Sequence, residues 1–435
     1  MTTARDHPKR AALLDELHAR RAPRLQPRAR VVHLALKHAH NAANRDRTAD
    51  LEHLAALTGE EAMPPGTRHH VFNLSDDHGD AEVTWESHTE LTAYTAVVAD
   101  PQGEPFGDGV DALFPAEWEA ADPAQRIAAV HVEILPKPTG PDADAECAAL
   151  LAGWLDPSST SVIRIYDGTG VLAGDFRTDS AGFTRFVIFA APELGPGRVG
   201  RAVQRVLDLE TYRAMAMIGF LRSQELSAHL NTLDPRLLDL VSQLDDSSRP
   251  ADELLHELLS VTAELEGLAT RHDFRFGATA AYAAIVADRL ASLGDDRFEA
   301  RQTLREFLGR RYDPAIRTVV SGEARLQRML DRAGRAGELL RTKVDVARSD
   351  QSQELLRSMD ARAETQLQLQ HTVEGLSVAA ISYYVLGLLT HLLAPVIEER
   401  HLDEKWVIAG LVPVVVVAVW LGMRWVRSRI HRVRR

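Results

Sequence analysis

Leu376–Ile397 reads LSVAAISYYVLGLLTHLLAPVI, twenty-two residues in which His391 is the one side chain that can carry a charge. Trp406–Met423, WVIAGLVPVVVVAVWLGM, adds eighteen more with none. At a rise of about 1.5 Å per residue, roughly 20 such residues cross the hydrocarbon of a bilayer. The pair predicts a C-terminal two-helix transmembrane hairpin over 376–397 and 406–423, with the remainder of the chain on one side. Beyond the second span stand Arg424, Arg427, Arg429, Arg432, Arg434 and Arg435 with no acid among them, and the loop 398–405 holds Glu398, Glu399, Asp403 and Glu404 against two bases. Arginine-rich tails stay in the cytoplasm, so both termini are expected there and the acidic loop outside, in a multi-pass protein of a bacterial inner membrane. The basic tail 424–435 suits anionic lipid headgroups, either through plain anchoring or through recognition of one lipid.

Working back from the spans, 319–375 carries a long helical stripe: Leu326, Leu330, Ala333, Leu340, Val344, Ala347, Leu355, Met359, Ala363 and Leu367. No proline interrupts the chain between Pro314 and Pro395, which predicts one long stalk helix running into the first span. Such a stripe wants partner helices in a coiled-coil bundle, from the same chain or from other copies in a homo-oligomer. Apolar residues at helical spacing also fill 197–318, from Val199, Val203 and Val206 onward, and predict a helical domain.

Residues 1–196 read differently. Ala12, Leu13, Leu14 and Leu17 give a short helical stripe, and strands are expected at Ala29–Leu36, His69–Leu74, Glu82–Val98 with a break, Arg126–Leu135, Ser161–Tyr166, Val171–Arg177 and Phe183–Ala190. Turn chemistry separates them, as at Pro64-Pro65-Gly66, and a helix is expected at Asp142–Leu155. Because helices do not alternate regularly with strands, this is expected to be an α+β cytoplasmic domain with an antiparallel sheet rather than a doubly wound one.

The 435 residues carry a net charge of −12, and the basic tail leaves −18 for everything before it. An acidic soluble part excludes the concentrated basic face that nucleic acid requires. Cys147 is the single cysteine, so an internal disulfide and a thiolate metal cage are both excluded. The first twenty-one residues lack an apolar run of signal-peptide type, which places the soluble part in the reducing cytosol.

Enzyme signatures are missing: there is no P-loop, no His-Glu-x-x-His helix, no Gly-x-Ser-x-Gly elbow. Three constellations are left as candidates. Trp85-Glu86-Ser87-His88-Thr89-Glu90, read as strand, puts Glu86, His88 and Glu90 on one face, with His131 and Glu133 able to oppose them. That face suits a divalent cation on nitrogen and oxygen ligands, the site of a membrane-bound enzyme, or a polar network with no ligand. Leu194-Gly195-Pro196-Gly197-Arg198-Val199-Gly200-Arg201 precedes a helix and suits either an anion at its free N–H groups or a plain helix start. In the first span Ser377, Tyr384 and His391 share a stripe that must meet protein or line a pathway, since polar groups in lipid are costly.

Glu16-Leu17-His18-Ala19-Arg20, Glu86-Ser87-His88-Thr89-Glu90, Gly182-Phe183-Thr184-Arg185-Phe186, Glu210-Thr211-Tyr212-Arg213 and Thr372-Val373-Glu374-Gly375-Leu376-Ser377-Val378-Ala379-Ala380-Ile381-Ser382-Tyr383-Tyr384 span nearly the whole chain. Together they resemble a bacterial family of predicted membrane-anchored proteins of unknown function, and the resemblance implies anchoring without implying an activity. The chain departs from that pattern at Arg21-Ala22-Pro23, where the family has Pro-Phe. In order of parts the chain is also similar to the CorA-type magnesium transporters, whose first spans line a pentameric pore. Their Gly-Met-Asn signature is replaced here by Leu388-Leu389-Thr390-His391-Leu392. Two functions stand as expectations. One is a homo-oligomeric two-span cation channel or transporter lined by Ser377, Tyr384 and His391, with Glu398, Glu399, Asp403 and Glu404 drawing cations to its mouth. The other is a non-conducting membrane-tethered scaffold or sensor whose cytoplasmic domain binds a protein or small ligand.

Overall fold

The computed structural model describes His7, Lys9, Arg10, Leu14 and residues 22–433, except 40–41, 60–62, 77–78, 108–112, 246–248 and 400–403; of 76, 79, 245, 394–399, 404 and 427–433 it describes the backbone alone. The Glu16–Arg20 stretch, Asp403, Arg434 and Arg435 lie outside the described residues, as do the side chains of Glu398, Glu399, Glu404, Arg427, Arg429 and Arg432. The chain divides into two compact units, one of Met1–Arg249 and His256–Gly337, the other of Pro250–Leu255 and Glu338–Arg435.

The first unit is built on a nine-stranded sheet: β1 (Ala29–His38), β2 (His69–Asp76), β3 (Gly79–Ser87), β4 (Leu91–Ala99), β5 (Ala124–Pro136), β6 (Ser161–Ile165), β7 (Gly170–Thr178), β8 (Thr184–Ala190) and β9 (Asp296–Arg297). Their spatial order is β2-β3-β4-β1-β5-β8-β7-β6-β9. Every pair is antiparallel except β5 with β8. The expected strands are therefore present, and the break in the Glu82–Val98 run is the turn between β3 and β4. β1 lies at the centre with eight consecutive buried residues, which is why ARVVHLAL shows no polar alternation.

Three short helices cover one face: α1 (Arg47–Thr58), α2 (Ala116–Ala121) and α3 (Ala143–Trp154). Leu51 and Leu54 of α1 and Trp118 of α2 pack with Val32, Leu34, Trp85 and Tyr94; Cys147 and Leu151 of α3 pack with Val171, Val187 and Phe189. Burial pushes the Cys147 thiol up to about 11, so the lone cysteine is an inert core residue.

The opposite face is covered by long helices: α4 (Pro196–Ser242), α5 (Ala251–Leu293) and the start of α6 (Leu304–Glu399). Val203 and Val206 of α4, Val286 and Leu290 of α5, and Phe307 and Leu308 of α6 share one core with Val31, Val132, Ile163 and Ile188 of the sheet. The boundary expected at 196 thus falls inside a continuous core, because the apolar stripe of these helices faces the sheet. Glycines let the helices approach closely: a Cβ on Gly219 would collide with the Thr279 side chain, and one on Gly322 would meet Ser223 Oγ at 2.9 Å.

In the second unit α6 continues to Glu399 and is followed by α7 (Glu404–Val433). Two helices in the described residues are long and apolar enough to cross a membrane. Leu355, Met359 and Leu367, all on the stripe expected of a stalk, are 64%, 63% and 54% exposed.

Candidate functional site

The strongest concentration of polar contacts sits where β3 turns into β4. Ser87 ends one strand and Leu91 begins the next, so His88, Thr89 and Glu90 form the turn and do not continue the strand alternation. Glu86 and His88 stay within 3.9 Å of each other. Glu90 swings away and is buried against the Arg275 guanidinium and the Tyr282 hydroxyl, which donates at 2.8 Å; Lys37 Nζ lies at 3.9 Å. The expected ligand face of Glu86, His88 and Glu90 is therefore not assembled. His131 and Glu133 do not oppose it either, since β4 and β1 stand between β3 and β5. Among the described residues no three His, Cys, Asp or Glu side chains are grouped to hold a metal ion.

Arg45 holds the turn in place. Its guanidinium donates to Asp50 at 2.8 Å, to the carbonyls of Thr89, His88 and Leu91 at 2.8, 3.0 and 3.1 Å, and to Ser87 Oγ at 3.1 Å. The Arg45 side chain is 2% exposed, so these charge-assisted bonds are shielded from water. Asp50 is supplied by α1, whose start is fixed by Asp46 accepting from Thr48 N at 2.9 Å. Burial raises the Asp50 carboxyl above the usual carboxylate range despite Arg45. Burial, then Arg275, lowers the Lys37 ammonium.

The α4 segment Glu210-Thr211-Tyr212-Arg213 comes to the same place. Thr211 Oγ1 lies 3.1 Å from His33 Nε2, and Thr95 Oγ1 lies 2.8 Å from His33 Nδ1. Burial, reinforced by His88, lowers His33 to about 3, so it is neutral at physiological pH. Tyr212 stacks on Tyr282 with ring centroids 5.4 Å apart, and Glu210 accepts two bonds of 2.8 Å from Arg213. Between Tyr212, Tyr282, Ile285, Arg68 and the 87–91 turn lies a cleft of about 200 Å³. The structure thus brings together two of the sequence stretches that carry the family resemblance. It adds Arg45, Arg275 and Tyr282, which no local pattern marked.

His131 and Glu133 belong to a separate closed cluster. Arg30 Nε donates to Glu133 at 2.7 Å, His131 Nε2 at 2.9 Å and the Phe106 N–H at 3.2 Å. Burial pushes the Glu133 carboxyl up, but the bonds from His131 and the charge of Arg30 carry it below the usual range. Arg185 of the Gly182–Phe186 stretch lies over the Phe106 ring at 5.5 Å and pairs with Asp179 at 3.1 Å. At the start of α4, Arg198 sits over the Tyr166 ring at 5.9 Å, and the Pro23 carbonyl presses on Gly200.

In the second unit Ser382 and Val415 are buried at 6% and 5%, while Tyr384 is 71% exposed and His391 is exposed. At about 100° per residue, Ser377, Tyr384 and His391 lie roughly opposite Ser382 on the helix. Ser377 Oγ donates to Val373 O at 2.8 Å, and His391 Nδ1 donates to Gly387 O at 3.1 Å, which leaves Nε2 with a lone pair; Tyr384 and His391 border a cleft with Ile408 of α7. Tyr383 and Tyr384 are in edge-to-face contact at 6.0 Å.

An α/β sheet domain followed by long helices, with a C-terminal helix of membrane-spanning character, defines the class of protein. The chain belongs to the family described as Protein of unknown function (DUF3422), whose sequence pattern matches residues 5–430. That match gives the likeness to the CorA-type transporters no support, and the likeness rests on the order of parts alone. No curated protein matches the chain.

Proposed function

We propose that this protein is a homo-oligomeric, two-span protein of the bacterial inner membrane in which the polar faces of the first spans meet around an axis and pass a cation. One observation carries the reading. Ser377, Tyr384 and His391 point away from the side where Ser382 is buried, with Tyr384 71% exposed. A phenol and an imidazole lone pair facing hydrocarbon would be unsatisfied, and lipid offers them no hydrogen bond. A second copy of the same face supplies partners, and a ring of such faces gathers acceptor atoms that a cation can use in place of water. The exposed Leu355, Met359 and Leu367 stripe supports the same assembly, since it is apolar surface that other copies would bury. In this arrangement both termini are cytoplasmic, the basic tail lies at anionic headgroups, and the 398–405 loop concentrates cations outside.

The test is cation flux into liposomes holding the full-length protein. Flux is expected from the wild type and is lost in His391→Leu and Ser377→Leu. Flux unchanged by both substitutions, or no flux from the wild type, overturns conduction and leaves a non-conducting tether with a ligand-binding cytoplasmic domain.

A further inference from the structure

The cleft beside the β3–β4 turn has an unbalanced lining. Acceptors that the turn would ordinarily present are consumed: the carbonyls of His88, Thr89 and Leu91 all receive bonds from Arg45. Donors remain. Ser87 Oγ accepts from Arg45, so its own proton is free to be given. Neither the Thr89 hydroxyl nor the Arg68 guanidinium has a partner among the described residues. Among the described residues no carboxylate lines the cleft: Glu90 is turned into Arg275 and Tyr282, and Glu86 stands 3.9 Å from the ring of His88, which does line it.

The surrounding charge has the same sign. Arg45 pairs with Asp50, and Arg275 and Lys37 share Glu90, so with Arg68 the cations around the turn outnumber the carboxylates Asp50, Glu90 and Glu86. Arg47 stands close enough that Arg45 and Arg68 reinforce burial in lowering its guanidinium pKa, a sign of the local positive potential. This excess stands within a chain of net charge −12. The rest of the lining is the His88 ring and the apolar surfaces of Leu91, Ile285 and the stacked rings of Tyr212 and Tyr282. At about 200 Å³ it is the size of a small-molecule site.

We propose that this cleft is a binding site for a small organic anion, its charged head on Arg68, Thr89 and Ser87 and its apolar part against Leu91, Ile285 and the tyrosine pair. The head is an oxyanion, because the donors are two hydroxyls and a guanidinium, which suit carboxylate or phosphate oxygens. The site lies entirely within the first unit and is independent of conduction through the spans.

The test is calorimetric titration of the full-length protein in detergent with benzoate, phenyl phosphate and neutral benzamide. One saturable site per chain is expected for at least one of the two anions, with benzamide at least tenfold weaker; the tighter anion identifies the head. Arg68 is exposed, so Arg68→Gln is expected to keep the wild-type unfolding temperature and to lose at least tenfold in affinity. Arg310→Gln, on another exposed surface, leaves binding unchanged. Absence of saturable binding by either anion, benzamide binding as tightly as benzoate, or an Arg68→Gln titration that matches the wild type overturns the proposal.

Discussion

The β3–β4 turn and the first apolar segment of α6 are both rich in polar side chains, and they treat them in opposite ways. At the turn, buried charges are paired within the chain: Arg45 with Asp50 and three carbonyls, Glu90 with Arg275 and Tyr282. Along Ser377–His391 the hydroxyl and one ring nitrogen fold back on their own helix, and the outward atoms of Tyr384 and His391 have no partner among the described residues. Groups satisfied internally hold a structure together. Groups left exposed on an apolar helix find no such partner among the described residues.

That contrast breaks first at Arg45. Arg45→Met strands Asp50 in a buried site and returns three carbonyls of the turn to an unpaired state, and it should cost about 3–5 kcal/mol. Denaturant unfolding of the full-length protein, followed by tryptophan fluorescence, measures it; a loss below about 1 kcal/mol would mean that water replaces the guanidinium. The next effect is a pH slope. His33, lowered to about 3 by burial, is neutral when folded and titrates near 6.5 when unfolded, so between those values the unfolded chain binds the extra proton. Stability from this group is complete above pH 6.5 and falls as pH drops, by up to about 1.4 kcal/mol per unit. His33→Gln should flatten the wild-type slope in that window, and parallel slopes would contradict the burial account. The smallest effect is expected in the span: His391→Leu should leave unfolding of the sheet domain within about 0.5 kcal/mol of wild type while removing flux.

Much of this architecture can be read from local patterns. Strands β1 to β8 stand out because β-branched and aromatic runs are bounded by turn chemistry, and the long helices because their apolar spacing persists for many turns. What the helices face is a different matter: Val203, Val206 and Val286 mark a stripe, but periodicity does not say that a sheet lies under it. Helix α1 escapes because Leu51 and Leu54 are too few to set a period, and β9 because two charged residues have none. The turn site was half visible. Glu86 to Glu90 mark it by their polarity, yet carrying strand alternation through the turn misplaces Glu90. Its partners Arg275 and Tyr282 are 185 and 192 residues away, beyond the reach of any local signal.

The most direct measurement is the mass of the detergent-extracted full-length protein, by light scattering on a sizing column. If the polar face of the first span is completed by other copies, the protein runs as a closed ring of four or more 48.0 kDa subunits, and that ring loosens when Tyr384 and His391 are both replaced by leucine. A monomer or dimer unaffected by those replacements would contradict the account, and would make Ser377, Tyr384 and His391 a lipid-facing surface with no path between them.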